Sequence, residues 1–210
     1  MKKANPSPLA AQAPSVKKRK RSPLILSGIL LVVVSLGLLL AVQVRLYDGA
    51  EHCRQILAQM EQVLPEATPG TPAVGTDPTM PVLELEGRNY VAIVDVPDFS
   101  LTLPVADQWD GAQAYLSPAR FFGSAYDGTL VIGGVDDLQQ FGFCDRIDTG
   151  AVIRVTDMTG SRFTYTVSAV ERSDHAEEQW LTEADWDLTL FCHDMYALEY
   201  VAVRCRLTPG

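Results

Sequence analysis

The first strong pattern in the chain is an apolar run from Pro23 to Val44, which contains no charge and only Ser27, Ser35 and Gln43 as polar interruptions. At about 1.5 Å per residue, a helix of this length spans the roughly 30 Å hydrocarbon core of a bilayer. The alternative is a signal peptide, whose apolar core is shorter, roughly 7 to 15 residues, and precedes a small-residue cleavage site. Neither feature is clear here, so the run predicts a transmembrane helix over 23–44.

Two further segments separate this helix from the rest of the chain. Apolar residues at helical spacing predict a juxtamembrane helix over 45–64, and a spacer stalk is a simpler interpretation of it than pairing with a partner helix. Residues 65–81 hold five prolines and two glycines. Such a composition solvates its backbone instead of packing it, which predicts a linker that ends at a domain boundary.

Residues 82–210 alternate between apolar and polar positions in short runs, as strands with one buried face do. The clearest run is Arg162–Val170, where Phe163, Tyr165 and Val167 share one face. Eight such runs predict a mainly β domain, either a barrel or a sandwich. They are 82–86, 89–96, 101–105, 129–133, 152–157, 162–170, 188–191 and 200–207. Helical pattern is limited to short stretches around 118–122, 136–145 and 182–187.

The charges are segregated along the chain. Seven basic residues and no acid precede the apolar run, which predicts a basic tail over 1–22. Residues 1–16 have no periodic apolar pattern, which predicts that this part of the tail is disordered. The positive-inside rule keeps such a tail in the cytoplasm and sends the C-terminal part outward, which makes this a single-pass protein of the cell membrane. After the run, ten arginines face all 26 acids, a net charge of −16. An acidic domain of this kind argues against nucleic-acid binding.

The chain has four cysteines, Cys53, Cys144, Cys192 and Cys205. No pair shows CxxC or His-linked metal spacing, and no phosphate-cradling glycine loop occurs, so the sequence predicts neither a metal nor a cofactor. One disulfide is possible in an oxidising exterior, although free buried cysteines are the commoner state.

Several segments, in this order, resemble the sortases, the membrane-anchored cysteine transpeptidases of Gram-positive bacteria, most nearly those of class B. They are NYVAIVDVP with LTLPV, SPARFFGSAYDGTLVIGG, WDLTLF and YVAVRCRL. The resemblance covers about 82–207, which makes 82–210 a sortase-like domain. It implies a closed eight-stranded β-barrel with short helices and a groove for a sorting-signal peptide. It also implies a nucleophilic Cys, a proton-transferring His and an Arg that stabilises charge on the carbonyl oxygen.

All three positions that the resemblance assigns to this triad depart from the pattern. Val135 follows VIGG in place of the His, and Tyr200 replaces the Arg. His193 occupies the Cys position, because Cys192 comes one residue too early. Since strand side chains alternate between faces, Cys192 should share the buried face of Leu190 while His193 points into the groove.

These departures lead to three hypotheses. The first is a sortase-like pseudoenzyme at the cell surface that binds a sorting-signal peptide of a surface protein or pilin, or another sortase. The second is an active transpeptidase that attaches surface proteins to the cell wall or to pilins through Cys192 in a shifted register. In that case His193 or His175 would be the base and Arg204 would stabilise the oxyanion. The third is a purely structural role in assembly at the cell surface.

Overall fold

The computed structural model describes residues 23–70, 79–175, 177–182, 185–194 and 197–208. The predicted basic tail and the middle of the predicted linker, residues 71–78, lie outside the described residues. The chain divides into two units, one that ends at Ala41 and one that begins at Val42.

The first unit is the apolar part of helix α1, which spans Pro23–Val63. Among the described residues, α1 is the one helix long and apolar enough to cross a membrane, and a signal sequence would pass the same test. The hydroxyls of Ser27 and Ser35 donate to carbonyls of the preceding turn, at 3.0 and 2.9 Å. The helix therefore satisfies these two hydroxyls internally, which is what a lipid environment would require.

The second unit is a closed β-barrel. Within the described residues its strands are β1 (Thr68–Pro69), β2 (Leu83–Leu85), β3 (Arg88–Val96), β4 (Leu101–Ala106), β5 (Ala119–Phe122), β6 (Leu130–Gly133), β7 (Val152–Asp157), β8 (Ser161–Ser173), β9 (Leu188–Asp194) and β10 (Glu199–Leu207). Eight of them form a ring in the order β3-β4-β5-β6-β9-β10-β8-β7, because β7 pairs with both β8 and β3. The predicted mainly β fold and closed eight-stranded barrel are confirmed. A 3-10 turn, Pro97–Phe99, and helix α2, Glu178–Leu181, are its short helices.

The set of barrel strands differs from the predicted set in one member. The run 82–86 contains β2, which pairs outside the ring with β3, and the eighth ring strand is β5. The prediction of helix over 118–122 is therefore wrong. A register shift between Arg120 and Phe122 interrupts the two-residue period that would have revealed a strand. The stretch 136–145 forms consecutive turns, and α2 ends at Leu181, just before the third predicted helical stretch.

The juxtamembrane part of α1 packs on the barrel and is not the predicted spacer. Ile56 and Met60 are fully buried in a cluster with residues of β3, β4 and β5. Gly49 permits a close approach, because a Cβ there would lie 2.0 Å from the carbonyl oxygen of Tyr115. The apolar stripe that predicted a helix is thus the stripe that the barrel covers.

The first part of the predicted linker also packs on the barrel. Strand β1 pairs in parallel with β8. The amides of Thr68 and Gly70 donate to the carbonyls of Gly160 and Arg162, at 2.9 and 2.7 Å. Pro69, which has no N–H, lies between these two donors and interrupts neither bond. The prediction of a solvated backbone is therefore wrong for residues 68–70.

Candidate functional site

The three positions that depart from the sortase pattern lie at one end of three neighbouring strands. Strand β6 runs parallel to β9 with Gly133 opposite Phe191, so Val135 follows at the level of His193. Strand β10 runs antiparallel to β9 with Tyr200 directly opposite His193. The positions that the resemblance assigns to the triad therefore carry an aliphatic, an imidazole and a phenol side chain.

His193 and Tyr200 face the outside of the barrel. Both are partly exposed, and their ring centroids are 4.7 Å apart in an edge-on arrangement. Directly opposite residues of an antiparallel pair lie on the same face, which explains the contact. The site carries an imidazole, but none of its described residues offers a sulfur for an acyl-enzyme.

Cys192 points to the opposite side, into the barrel. It is 3% exposed and belongs to the same core cluster as Leu190 and Val201. Its Sγ donates to the carbonyl of Phe141 at 3.5 Å. The alternation of strand side chains predicts this orientation, and the burial of Cys192 confirms it. A reactive thiol requires an accessible thiolate, and this sulfur is inaccessible in the folded protein.

The sulfur of Cys192 lies among other thiols. The thiol of Cys144 is within hydrogen-bonding reach of it, and Cys205 lies in the same core. Burial raises the pKa of Cys144 well above its ordinary value, and Cys192 raises it further. Burial also raises the pKa of Cys205. All four cysteines of the chain are free and buried.

Arg204 lies on the outer face but is fully buried there. Its Nε donates to Glu171 Oε2 at 2.9 Å. Its terminal nitrogens donate to the carbonyls of Trp180 and Leu181, at 2.6 and 3.2 Å, and to Thr189 Oγ1 at 3.2 Å. The guanidinium carbon also lies 5.0 Å from the centre of the Trp180 ring. Its donors are therefore engaged by the protein itself.

Solved structures of sortases resemble this barrel. Sortase A from Corynebacterium diphtheriae superposes with a TM-score of 0.52 and 21% identity, over 59% of this chain and 62% of that one. For sortase C1 from Streptococcus agalactiae the TM-score is 0.52 and the identity 18%, over 60% and 72% of the two chains. The sortase D5 transpeptidase of Clostridium perfringens gives 0.50 and 16%, over 57% and 79%. The chain has the sortase fold.

This likeness is stronger in structure than in sequence. No protein-family model matches the chain, and no curated protein does. The chain spans 62% of the length of the C. diphtheriae sortase A chain, and identities between 16 and 21% establish the fold alone.

In this sortase fold, the outer face of β6, β9 and β10 carries an apolar cluster of its own. Its buried members are Val131, Leu181, Phe191 and Ala202, and Trp109, Phe121, Trp180 and Tyr200 pack against them. The first glycine of VIGG makes room for this cluster. A Cβ at Gly133 would lie 2.6 Å from the rings of both Phe191 and Trp109.

The residues proposed for an active site do not come together. Cys192 faces the barrel interior, whereas His193 and Arg204 lie on the outer face. Arg204 stands four residues from Tyr200, about 13 Å along the strand. His175 is exposed in a turn, where its backbone N–H donates to the Ser173 hydroxyl.

Sequence reasoning missed the partners of Arg204. Its signal was present, because Arg204 follows the apolar residues 201–203 and shares a face with Ala202, and a buried guanidinium requires an acceptor. Nothing in the sequence alone indicates that Glu171 and the carbonyls before Thr182 supply those acceptors, since they come from another strand and a loop.

Proposed function

We propose that this protein is a membrane-anchored, sortase-fold module that catalyses no transpeptidation and binds a peptide or protein partner outside the cell. One observation carries the proposal. The position where the resemblance expects the nucleophile is His193, and the sulfur of the neighbouring Cys192 points into the core.

The chemistry of acyl transfer explains why this observation matters. A thiolate must reach the carbonyl carbon, and a general acid must protonate the leaving amine. An imidazole at 193 forms no thioester, and the aliphatic side chain of Val135 transfers no proton. The guanidinium of Arg204 is held by Glu171 and by backbone carbonyls, which leaves it no role at a developing oxyanion.

Binding outside the cell is supported by the rest of the chain. Seven basic residues precede the apolar helix, which favours a cytoplasmic N-terminus and an external barrel. The outer face of the barrel presents aromatic side chains, and the part of the chain after the apolar run has a net charge of −16. A patch of aromatic residues surrounded by a polar rim is typical of recognition surfaces.

An active enzyme that uses Cys192 requires β9 to slide by one residue. Such a slip would turn the whole buried row of β9, Leu188, Leu190 and Cys192, toward the outside. It would also turn His193 inward, away from its contact with Tyr200. The register shared with both β6 and β10 opposes this rearrangement.

Thiol labelling and peptide turnover test the proposal on the full chain in detergent micelles. We expect iodoacetamide to alkylate Cys192 only after unfolding, as read by mass spectrometry of the labelled peptide. We also expect a fluorogenic sorting-signal peptide to remain uncleaved. The matched control is Cys192→Ala, which should behave as the native chain in the cleavage assay. Rapid native labelling at neutral pH, with turnover that Cys192→Ala abolishes, would overturn the proposal.

A further inference from the structure

We propose that a cavity beside the outer face binds the cationic side chain, lysine or arginine, of a peptide partner. This inference rests on the proposed binding function and names the chemistry of its ligand. The cavity measures about 610 Å³, enough for a side chain together with its backbone. It is lined by Asp107, Gln108, Trp109, Arg120, Phe121, Phe122, Gly123 and Glu178.

The one cation in this lining is already neutralised. Arg120 forms an ion pair with Asp107, in which Nη2 lies 2.5 Å from Oδ1. Its Nε donates to the Asp107 carbonyl at 3.2 Å, and its Nη1 donates to the carbonyl of Gly123 at 3.3 Å. The guanidinium therefore closes one wall of the cavity and leaves no positive charge for an anionic ligand.

The remaining charge in the lining is negative. The carboxylate of Glu178 is exposed, and within the described part of the chain no cation lies at ion-pair distance from it. Glu177 precedes it and is also exposed, but it does not line the cavity. A cationic group that entered the cavity would meet an unneutralised carboxylate, whereas an anion would be repelled.

The apolar lining is suited to the same ligand. Trp109 and Phe121 are partly buried, and Phe122 is 44% exposed at the rim. A ring face attracts an ammonium or guanidinium group, and the methylene stem of a lysine or arginine packs on apolar walls. The barrel uses this contact elsewhere, since the guanidinium of Arg206 lies 4.6 Å from the centre of the Trp186 ring.

The walls are held in place before any ligand binds. The rings of Trp109 and Phe121 both pack against Phe191, with centroid distances of 5.5 and 5.4 Å. Glu178 begins the short helix α2, and Arg204 donates to the carbonyls of that helix. A preorganised site loses less conformational entropy on binding, so even one charged contact should be measurable.

A peptide series measured on the full chain tests the inference. The chain is placed in phosphatidylcholine nanodiscs, whose neutral lipid does not attract cationic peptides. Three acetylated and amidated peptides differ at one position, which is lysine, acetyl-lysine or glutamate. We expect the lysine peptide to bind roughly 5-fold to 10-fold more tightly than the acetyl-lysine peptide, and the glutamate peptide to bind most weakly.

Two variants and one control assign the effect to the cavity. Glu178→Gln should reduce the preference for lysine over acetyl-lysine to about 2-fold or less, and Phe122→Leu should weaken lysine binding by roughly 2-fold to 3-fold. Glu177→Gln makes the same charge change one residue away and should leave the preference intact.

The outcomes separate this inference from the proposed function. Equal binding of all three peptides, or an equal loss in Glu177→Gln and Glu178→Gln, overturns the cavity assignment and leaves the binding function standing. Absence of binding by every peptide counts against both. Turnover of a sorting-signal peptide through Cys192 overturns the proposed function while the lysine preference stays measurable in the Cys192→Ala variant.

Discussion

The two faces of strands β9 and β10 differ in what they bury. The residues buried on the inner face are apolar side chains and thiols, namely Leu188, Leu190, Cys192, Val201, Val203 and Cys205. The outer face alternates with it and carries polar groups among aromatic ones, namely Thr189, Phe191, His193, Tyr200, Ala202 and Arg204. One pair of strands thus separates two packed clusters of different chemistry.

This difference shows how a small shift decides the chemistry of a barrel. Cys192 and His193 are neighbours in sequence, yet one lies in the core and the other beside Tyr200 on the outside. A sulfur placed one residue early is therefore an internal packing group and not an external nucleophile. On the outer face, the buried guanidinium of Arg204 donates to two carbonyls of α2 and holds that helix in place.

The largest expected effect comes from removing the guanidinium of Arg204 from the outer face. Arg204→Met keeps an apolar stem but leaves the carbonyls of Trp180 and Leu181 without their donor. It also leaves Glu171 without its cation. We expect the free energy of unfolding to fall by about 3 kcal/mol. Urea unfolding of the full chain in detergent, followed by tryptophan fluorescence, measures it.

Arg206→Met is the matched control for this variant. Arg206 lies on the same strand but is exposed, and its contact is the ring of Trp186. The expected loss is below about 1 kcal/mol. Similar losses for the two variants would show that the outer face is an ordinary surface and not a second packed cluster.

Alkaline titration distinguishes the inner cluster from the outer one. Tyr126 packs on Phe163 of the inner cluster, and its hydroxyl donates to Asp157, which is fully buried. Burial, followed by the hydrogen bond to Asp157, raises the pKa of Tyr126 to about 12 from an ordinary value of 10.0. Between these two pH values the folded protein keeps a proton that the unfolded chain loses. The free energy of unfolding therefore falls as pH rises from 10 to 12.

Tyr126→Phe removes this contribution. With allowance for partial exposure, the alkaline loss over that window should shrink by about 1 to 2 kcal/mol relative to the native chain. Urea unfolding at several pH values gives both curves. Some loss should remain, because burial also raises the pKa of Tyr90 to about 12. Parallel curves for variant and native chain would contradict the assignment.

Most of the barrel could be predicted from the sequence because its strands alternate. The period over 162–170 marked β8, and the short runs 129–133, 188–191 and 200–207 marked the strands of the site, β6, β9 and β10. Alternation also predicted correctly that Cys192 is buried. Strand β5 was missed because its bulge places Phe121 and Phe122 in succession and disrupts the period.

What the sequence did not reveal depends on contacts between distant segments. The prolines of 65–70 are typical of a solvated linker. Only the hydrogen bonds that Thr68 and Gly70 donate beside β8 reveal a strand there. The stripe of Ile56 and Met60 predicts a helix but does not specify what covers it. The cavity at Glu178 likewise joins the loop after β4, β5 and α2, which no local pattern connects.

The smallest expected effects come from substituting the neighbours Cys192 and His193 one at a time. Cys192→Ser puts a hydroxyl in the core, where the carbonyl of Phe141 remains as its acceptor, and should lower the free energy of unfolding by about 1 kcal/mol. His193→Ser removes a partly exposed ring whose contact is Tyr200, and should lower it by about 0.5 kcal/mol or less. Urea unfolding at neutral pH measures both. A larger loss for His193→Ser would mean that the faces of the two residues are reversed, because burial is what makes a substitution on this strand costly.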